Sequence, residues 1–176
     1  VDGVPHYFTP WNICWSPELE VFHGVGTGNN PFAAISSDGT DWSNFNNNVL
    51  NLPADIRGPI WCPARSKFLI TSGRNINPLF NFQWGLSSDG LNYFVFSDLS
   101  ATNPGVNGVC WAEDIGRAVA VTGQDNGGGY PRFVWWSDNL ITWNHGTFIA
   151  EDISWQCVTR SVRLGLFVAL GYKPSD

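Results

Sequence analysis

The chain has no methionine and only two lysines and four glutamates, and charged residues fill just 14% of its 176 positions. Long exposed helices draw on Glu, Lys, Ala and Leu, so this poverty disfavours a helical protein. Long apolar runs are missing too, and stretches such as 164–171 (LGLFVALG) are far too short to span a bilayer as a helix. The opening residues VDGVPHYF lack the basic and apolar regions of a leader, so neither a membrane anchor nor an intact signal peptide is expected. Nine scattered cations, a net charge of -6 and a pI near 4.8 leave no basic stripe for a phosphate backbone. Nucleic acid is therefore not an expected partner.

What is present is aromatic and turn-forming: ten Trp, nineteen Gly and eleven Pro beside a 43% hydrophobic share. That is enough apolar material for one compact domain across residues 1–176, and the residue types point to an all-β fold.

A repeat dominates the pattern. Four segments run NICWSPELEVFHGVG (12–26), PIWCPARSKFLITSG (59–73), GVCWAEDIGRAVAVTG (108–123) and WQCVTRSVRLGLFVALG (155–171). Their cysteines, Cys14, Cys62, Cys110 and Cys157, are spaced by 48, 48 and 47 residues and serve as the markers of the period. A second motif alternates with the first: ISSDGTDW (35–42), LSSDGLNY (86–93) and WSDNLITW (136–143). Its aspartates, Asp38, Asp89 and Asp138, are placed to accept backbone N–H groups across a tight turn, with an aromatic ring packing beneath. This reads as a structural hairpin clasp.

Short alternating or apolar stretches bounded by Gly, Pro and Asn give about four strands per period. In the first they are 12–16, 20–26, 32–37 and 41–45; in the second 58–63, 67–73, 80–87 and 92–97; in the third 107–112, 117–123, 132–137 and 142–148. Four antiparallel strands per repeat make a propeller blade. The fourth copy stops after two strands, and Val4–Thr9 is the natural donor to complete it, which closes a four-bladed propeller. The alternative is that copies of the chain join into a larger ring.

The S-x-D-G-x-x-W pattern at Ser36–Trp42, with imperfect copies at Ser87–Tyr93 and Ser137–Trp143, resembles the Asp-box (BNR) repeat of sialidase-like propellers. W-S-P-E-L followed by a second apolar strand and S-S-D-G is most similar to propeller repeats of bacteriophage virion and tail proteins. The order Trp61-Cys62-Pro63 and the Gly missing from the third clasp depart from that pattern. The resemblance implies that the clasp joins the third and fourth strands of a blade on the face away from the binding site. Loops 26–31, 74–79, 124–131, 46–57 and 98–106 would then carry function, as loops on a rigid scaffold do.

Three readings of that face compete. A sialidase-like glycoside hydrolase would gather Arg57, Arg74 and Arg132 to grip a sugar carboxylate, and would need an acid and a nucleophile from among Asp55, Asp98, Asp125, Glu151 and Asp152. A glycan-binding module would use Arg57, Arg74, Asn75, Asn77, Asp125, Asn126, Tyr130 and Arg132 to meet sugar hydroxyls and stack a pyranose. An assembly module would bind a neighbouring virion protein, with Trp84, Trp135 or Trp136 as anchors, although Trp on strands is chiefly core material, Trp15 and Trp111 most of all. The expected function is non-enzymatic: binding of a receptor glycan or a neighbouring structural protein, in a virion or extracellular setting, with an oligomer compatible with it and no cofactor implied. The four cysteines are expected as buried free thiols, with a disulfide pair or a four-thiolate zinc site as alternatives. His6, His23 and His145 share no spacing that would build a metal or nucleophile-base site.

Overall fold

A computed structural model describes residues 9–27, 32–42, 44–46, 56–72, 83–97, 105–123, 134–146 and 153–173. Within them the protein is all-β, with one short 3-10 turn at Pro63–Arg65. The first sheet is the antiparallel meander β1 (Thr9–Ser16), β2 (Val21–Thr27), β3 (Phe32–Ser36) and β4 (Asn44–Asn46). The second is β5 (Ile56–Cys62), β6 (Lys67–Ser72), β7 (Gln83–Ser87) and β8 (Phe94–Ser97). The third is β9 (Val106–Ala112), β10 (Arg117–Thr122), β11 (Val134–Ser137) and β12 (Asn144–His145), and β13 (Ser154–Ser161) with β14 (Leu166–Tyr172) forms a two-stranded fourth. Thr9 belongs to β1, and the remainder of the expected donor, residues 4–8, lies outside the described residues.

The sheets stack through their first strands, β1 beside β5, β5 beside β9 and β9 beside β13. Each seam has its own apolar core. Val25 and Ala33 meet Ile56 and Ile70 in the first, and Cys62, Leu69 and Trp84 meet Ala118, Ala120, Trp135 and Trp143 in the second. In the third, Val119 and Val121 meet Val158, Phe167 and Ala169. Within the second seam Trp84 lies flat on Trp143, with ring centroids 3.6 Å apart and planes 4° from parallel. Such a pair adds about 0.5–1.5 kcal/mol beyond the area it buries. Trp84 and Trp135 are buried, as strand tryptophans should be.

The clasps join β3 to β4, β7 to β8 and β11 to β12. In the first, Asp38 Oδ1 accepts the N–H groups of Thr40 and Asp41 at 2.8 Å each, and Ser36 Oγ accepts that of Gly39 at 2.9 Å. Asp89 repeats the arrangement with Leu91 and Asn92. The third copy corrects the expectation for Asp138. The acceptor is Asn139, whose Oδ1 takes the N–H groups of Ile141 and Thr142 at 2.9 and 2.7 Å. Asp138 instead faces outward and pairs with Arg117 at 2.6 Å. The true spacing is Ser-x-Asx-x-x-x-aromatic, because two N–H groups need only one side-chain carbonyl oxygen at that position, which an amide supplies as well as a carboxylate.

The cysteines are also not equivalent. The last residues before the first hairpin turns are Ser16, Cys62, Ala112 and Ser161, paired with Val21, Lys67, Arg117 and Leu166. Counted from there, Cys62 sits at the turn, Cys14 and Cys110 two residues before it and Cys157 four residues before it. Trp15, Trp61 and Trp111 share one position, immediately before the turn, with Arg160 in the fourth sheet. All four thiols are free; Cys62 is buried, Cys14 and Cys110 are half-buried and Cys157 is exposed. Burial thus holds in full for Cys62 alone. Among the described residues no group of three or more His, Cys, Asp and Glu side chains is arranged to hold a metal. Trp15 departs from the expected core position as well and is exposed, since among the described residues no further sheet packs on its side of the first sheet.

Candidate functional site

Every first strand carries a β-bulge. The register slips between Pro10 and Asn12 in β1, between Arg57 and Ile60 in β5, at Asn107 in β9 and between Trp155 and Cys157 in β13. A bulge bends its strand and re-aims side chains. Here the bulges lie toward the strand ends remote from the clasps, and the four first strands together frame a cavity of about 370 Å³. Asn12 and Ile13, Arg57 to Ile60, Asn107 to Val109, and Gln156 to Val158 line it.

Arg57, Asn107 and Gln156 stand at the same distance from their hairpin turns, five residues before the last strand residue. Asn107 connects three sheets. Its Oδ1 faces Arg57 Nη1 at 3.5 Å, and its Nδ2 donates to the Trp155 carbonyl at 2.9 Å. Thr71 Oγ1 donates to the Arg57 carbonyl at 3.0 Å, and Gln156 Nε2 donates to Ser154 Oγ at 3.0 Å. Two glycines make this approach sterically feasible. A Cβ on Gly108 would lie 2.7 Å from Cys157 Cα, and one on Gly123 would overlap the Asn107 amide.

The lining mixes a guanidinium, three amides and aliphatic surface, with the exposed Cys157 thiol at its edge. Among the described residues lining the cavity, Arg57 is the only ionised side chain. Such a set offers donors in several directions to hydroxyls or to an anionic oxygen. Of the residues expected at the site, Arg57 is here, where Asn107 and the β9 strand hold it. Arg74, Asn75, Asn77, Asp125, Asn126, Tyr130 and Arg132 lie outside the described residues, as do Asp55, Asp98, Glu151 and Asp152. Asn12, Asn107 and Gln156 escaped the sequence reading. Aligning the strands on tryptophan instead of cysteine places Arg57 and Asn107 in one column, but the fourth strand carries Arg160 at that position, so Gln156 joins them only through the strand register.

No protein-family model matches the chain, and a search of curated proteins finds no match.

Proposed function

We propose that the repeated sheets are blades of a β-propeller and that the protein is a non-enzymatic binding module of a phage virion or other extracellular particle, with a receptor glycan as its ligand. The observation that carries this reading is the cavity framed by the four first strands, in which Arg57, Asn107 and Gln156 occupy equivalent positions on three of them and Asn12 on the first adds a further amide. A ligand bearing hydroxyls and one carboxylate matches that lining: the amides serve hydroxyls, and the planar guanidinium serves a carboxylate. The second and fourth strands of each meander end on the same side as the bulges. The Asp-box resemblance agrees, since the clasps lie at the opposite end of the meanders.

Catalysis by a glycoside hydrolase requires two carboxyl groups held at a set separation, and the candidates for them, Asp55, Asp98, Asp125, Glu151 and Asp152, all lie outside the described residues. A four-bladed ring closed by the N-terminal segment needs the outer face of β13 and β14 against the first sheet. Both faces are exposed, which favours blades drawn from more than one copy.

The test is a broad glycan array with the parent protein and Arg57→Ala. Loss of one charge-assisted contact weakens binding about 10- to 100-fold. Absence of binding across the array, or binding indifferent to Arg57→Ala, overturns the receptor-glycan reading.

A further inference from the structure

The seam between successive sheets repeats three times, and the two ends of the stack expose its two unused halves. On the leading side, Val119 and Val121 of β10 are 5% and 1% exposed because the fourth sheet covers them. Their register equivalents on β14, Val168 and Leu170, are 45% and 66% exposed. On the trailing side, Trp61 is 8% exposed against the first sheet, whereas its equivalent Trp15 is 42% exposed, with Ile13 beside it at 57%.

Polar contacts obey the same rule. The residue just before the hairpin turn of one sheet meets the second turn residue of the preceding sheet. Trp61 Nε1 donates to Glu18 Oε2 across the first seam, and Arg160 grips Asp114 at 2.7 and 3.3 Å across the third. At the second seam the corresponding pair is Trp111 and Ala64, whose side chain offers no acceptor; Trp111 Nε1 donates instead to Glu113 Oε2 in its own turn, while its ring packs on the second core. Applied to the free ends, the rule sets Trp15 against Arg163, both exposed. A guanidinium over an indole face is an attractive pair.

We infer that the outer face of β13 and β14 docks on the Ile13–Trp15 face of a second copy of this chain, head to tail, reproducing the internal seam. Continuity with that thrice-used interface identifies the occupant: the two faces are complementary to one another and not to themselves. Leu166, Val168 and Leu170 meet the β1–β2 side of the second copy, and Arg163 lies over Trp15 of that copy. Such a contact is heterologous, so it closes a ring or continues. The inference rests on the repeated seam and not on the glycan reading, so failure of one leaves the other standing.

Light scattering behind size exclusion tests it, with Trp15→Glu and Leu170→Glu as variants at two exposed positions and Arg163→Glu as a second probe of the leading face. The parent should exceed its 19.4 kDa monomer mass at micromolar concentration, and each variant alone should be monomeric with an unchanged melting transition. Mixing Trp15→Glu with Leu170→Glu should restore a dimer, because each supplies the face that the other lacks. A parent that stays monomeric, an assembly that survives either variant, or a mixture that fails to pair overturns the proposal.

Discussion

Tyr93 Oη lies 2.7 Å from His23 Nε2, a buried contact across the first seam, 70 residues apart in the chain. His23 packs on Phe68 at 4.6 Å between ring centroids, with the Asp89 clasp close by. Burial pushes the imidazole down to about 4, against the opposing influence of the Gly90 backbone and the Asp89 charge. The same burial raises the Tyr93 phenol well above its ordinary value. Unfolded His23 takes a proton below about pH 6.5, whereas the folded residue resists until about 4. Its contribution is therefore fully present above pH 6.5 and is lost as the pH falls toward 4, by roughly 3 kcal/mol in total. Denaturant midpoints measured between these pH values should fall accordingly. Tyr93→Phe should cost about 1–2 kcal/mol at neutral pH by leaving a buried nitrogen unpaired. The double variant His23→Leu with Tyr93→Phe removes both polar groups and puts Leu where the second sheet has Leu69, so its profile should be flat over that range.

The clasps titrate lower. At Asp89 burial raises the carboxyl, but the N–H groups of Asn92 and Leu91, the Asn92 amide and the Ser87 hydroxyl outweigh it and hold the group below the usual carboxylate range. Stability from this clasp is complete above about pH 4 and fades as the pH drops below it. Asn139 performs the same task uncharged, which gives a sharp comparison. Asp89→Asn should cost less than about 0.5 kcal/mol, while Asp89→Ala leaves two solvent-exposed N–H donors to water in place of their fixed acceptor and should cost about 1 kcal/mol. Chemical denaturation at pH 7 separates the two.

The sheet pattern was legible because turn residues and strand periodicity are local. The Ser-x-Asp-Gly clasps likewise announced the third-to-fourth strand joints. The assignment failed where a local match competed with register. Asp138 sits one residue from the acceptor position and looked right by chemistry, but Asn139 has the geometry. The even cysteine spacing misled in the same way: the tryptophans that share a register position are 46 and 50 residues apart, because the connections between sheets differ in length. Bulges are set by the close approach of neighbouring backbones, as at Gly108 against Cys157, and no local motif encodes that. The cavity residues Asn107 and Gln156 therefore carry no local signal, whereas Arg57 is visible as one of three arginines, with Arg74 and Arg132, near the loops of the expected binding face.

Leu140 shows two opposing effects at one residue. It adopts φ 65°, where the matching positions carry Gly39 and Gly90 at 79° and 78°. A left-handed leucine costs about 1–2 kcal/mol of backbone strain. Its side chain, however, is buried beside Trp143 in the second seam, and deleting such a group costs about 2–5 kcal/mol. Burial outweighs strain, so Leu140→Gly should lower stability by about 1–3 kcal/mol despite relieving φ. A thermal or denaturant melt that shows stabilisation would contradict that ordering.

The four thiols report the fold directly, since reactivity requires both exposure and the thiolate. Burial pushes Cys14 up to about 12, drives Cys62 well above the ordinary range, and lifts Cys110 to about 11 against the Arg160 charge. Cys157 is exposed at the cavity edge. A native sample treated with a chromogenic disulfide at pH 8 should therefore show one fast equivalent, lost in Cys157→Ser, and four after denaturation. Because Cys157 shares the cavity with Arg57 and Asn107, a bulky maleimide there should block glycan capture while leaving the melting transition in place. Fast reaction at Cys62 would mean that the second seam opens in solution, and glycan capture that survives the maleimide would place the ligand elsewhere.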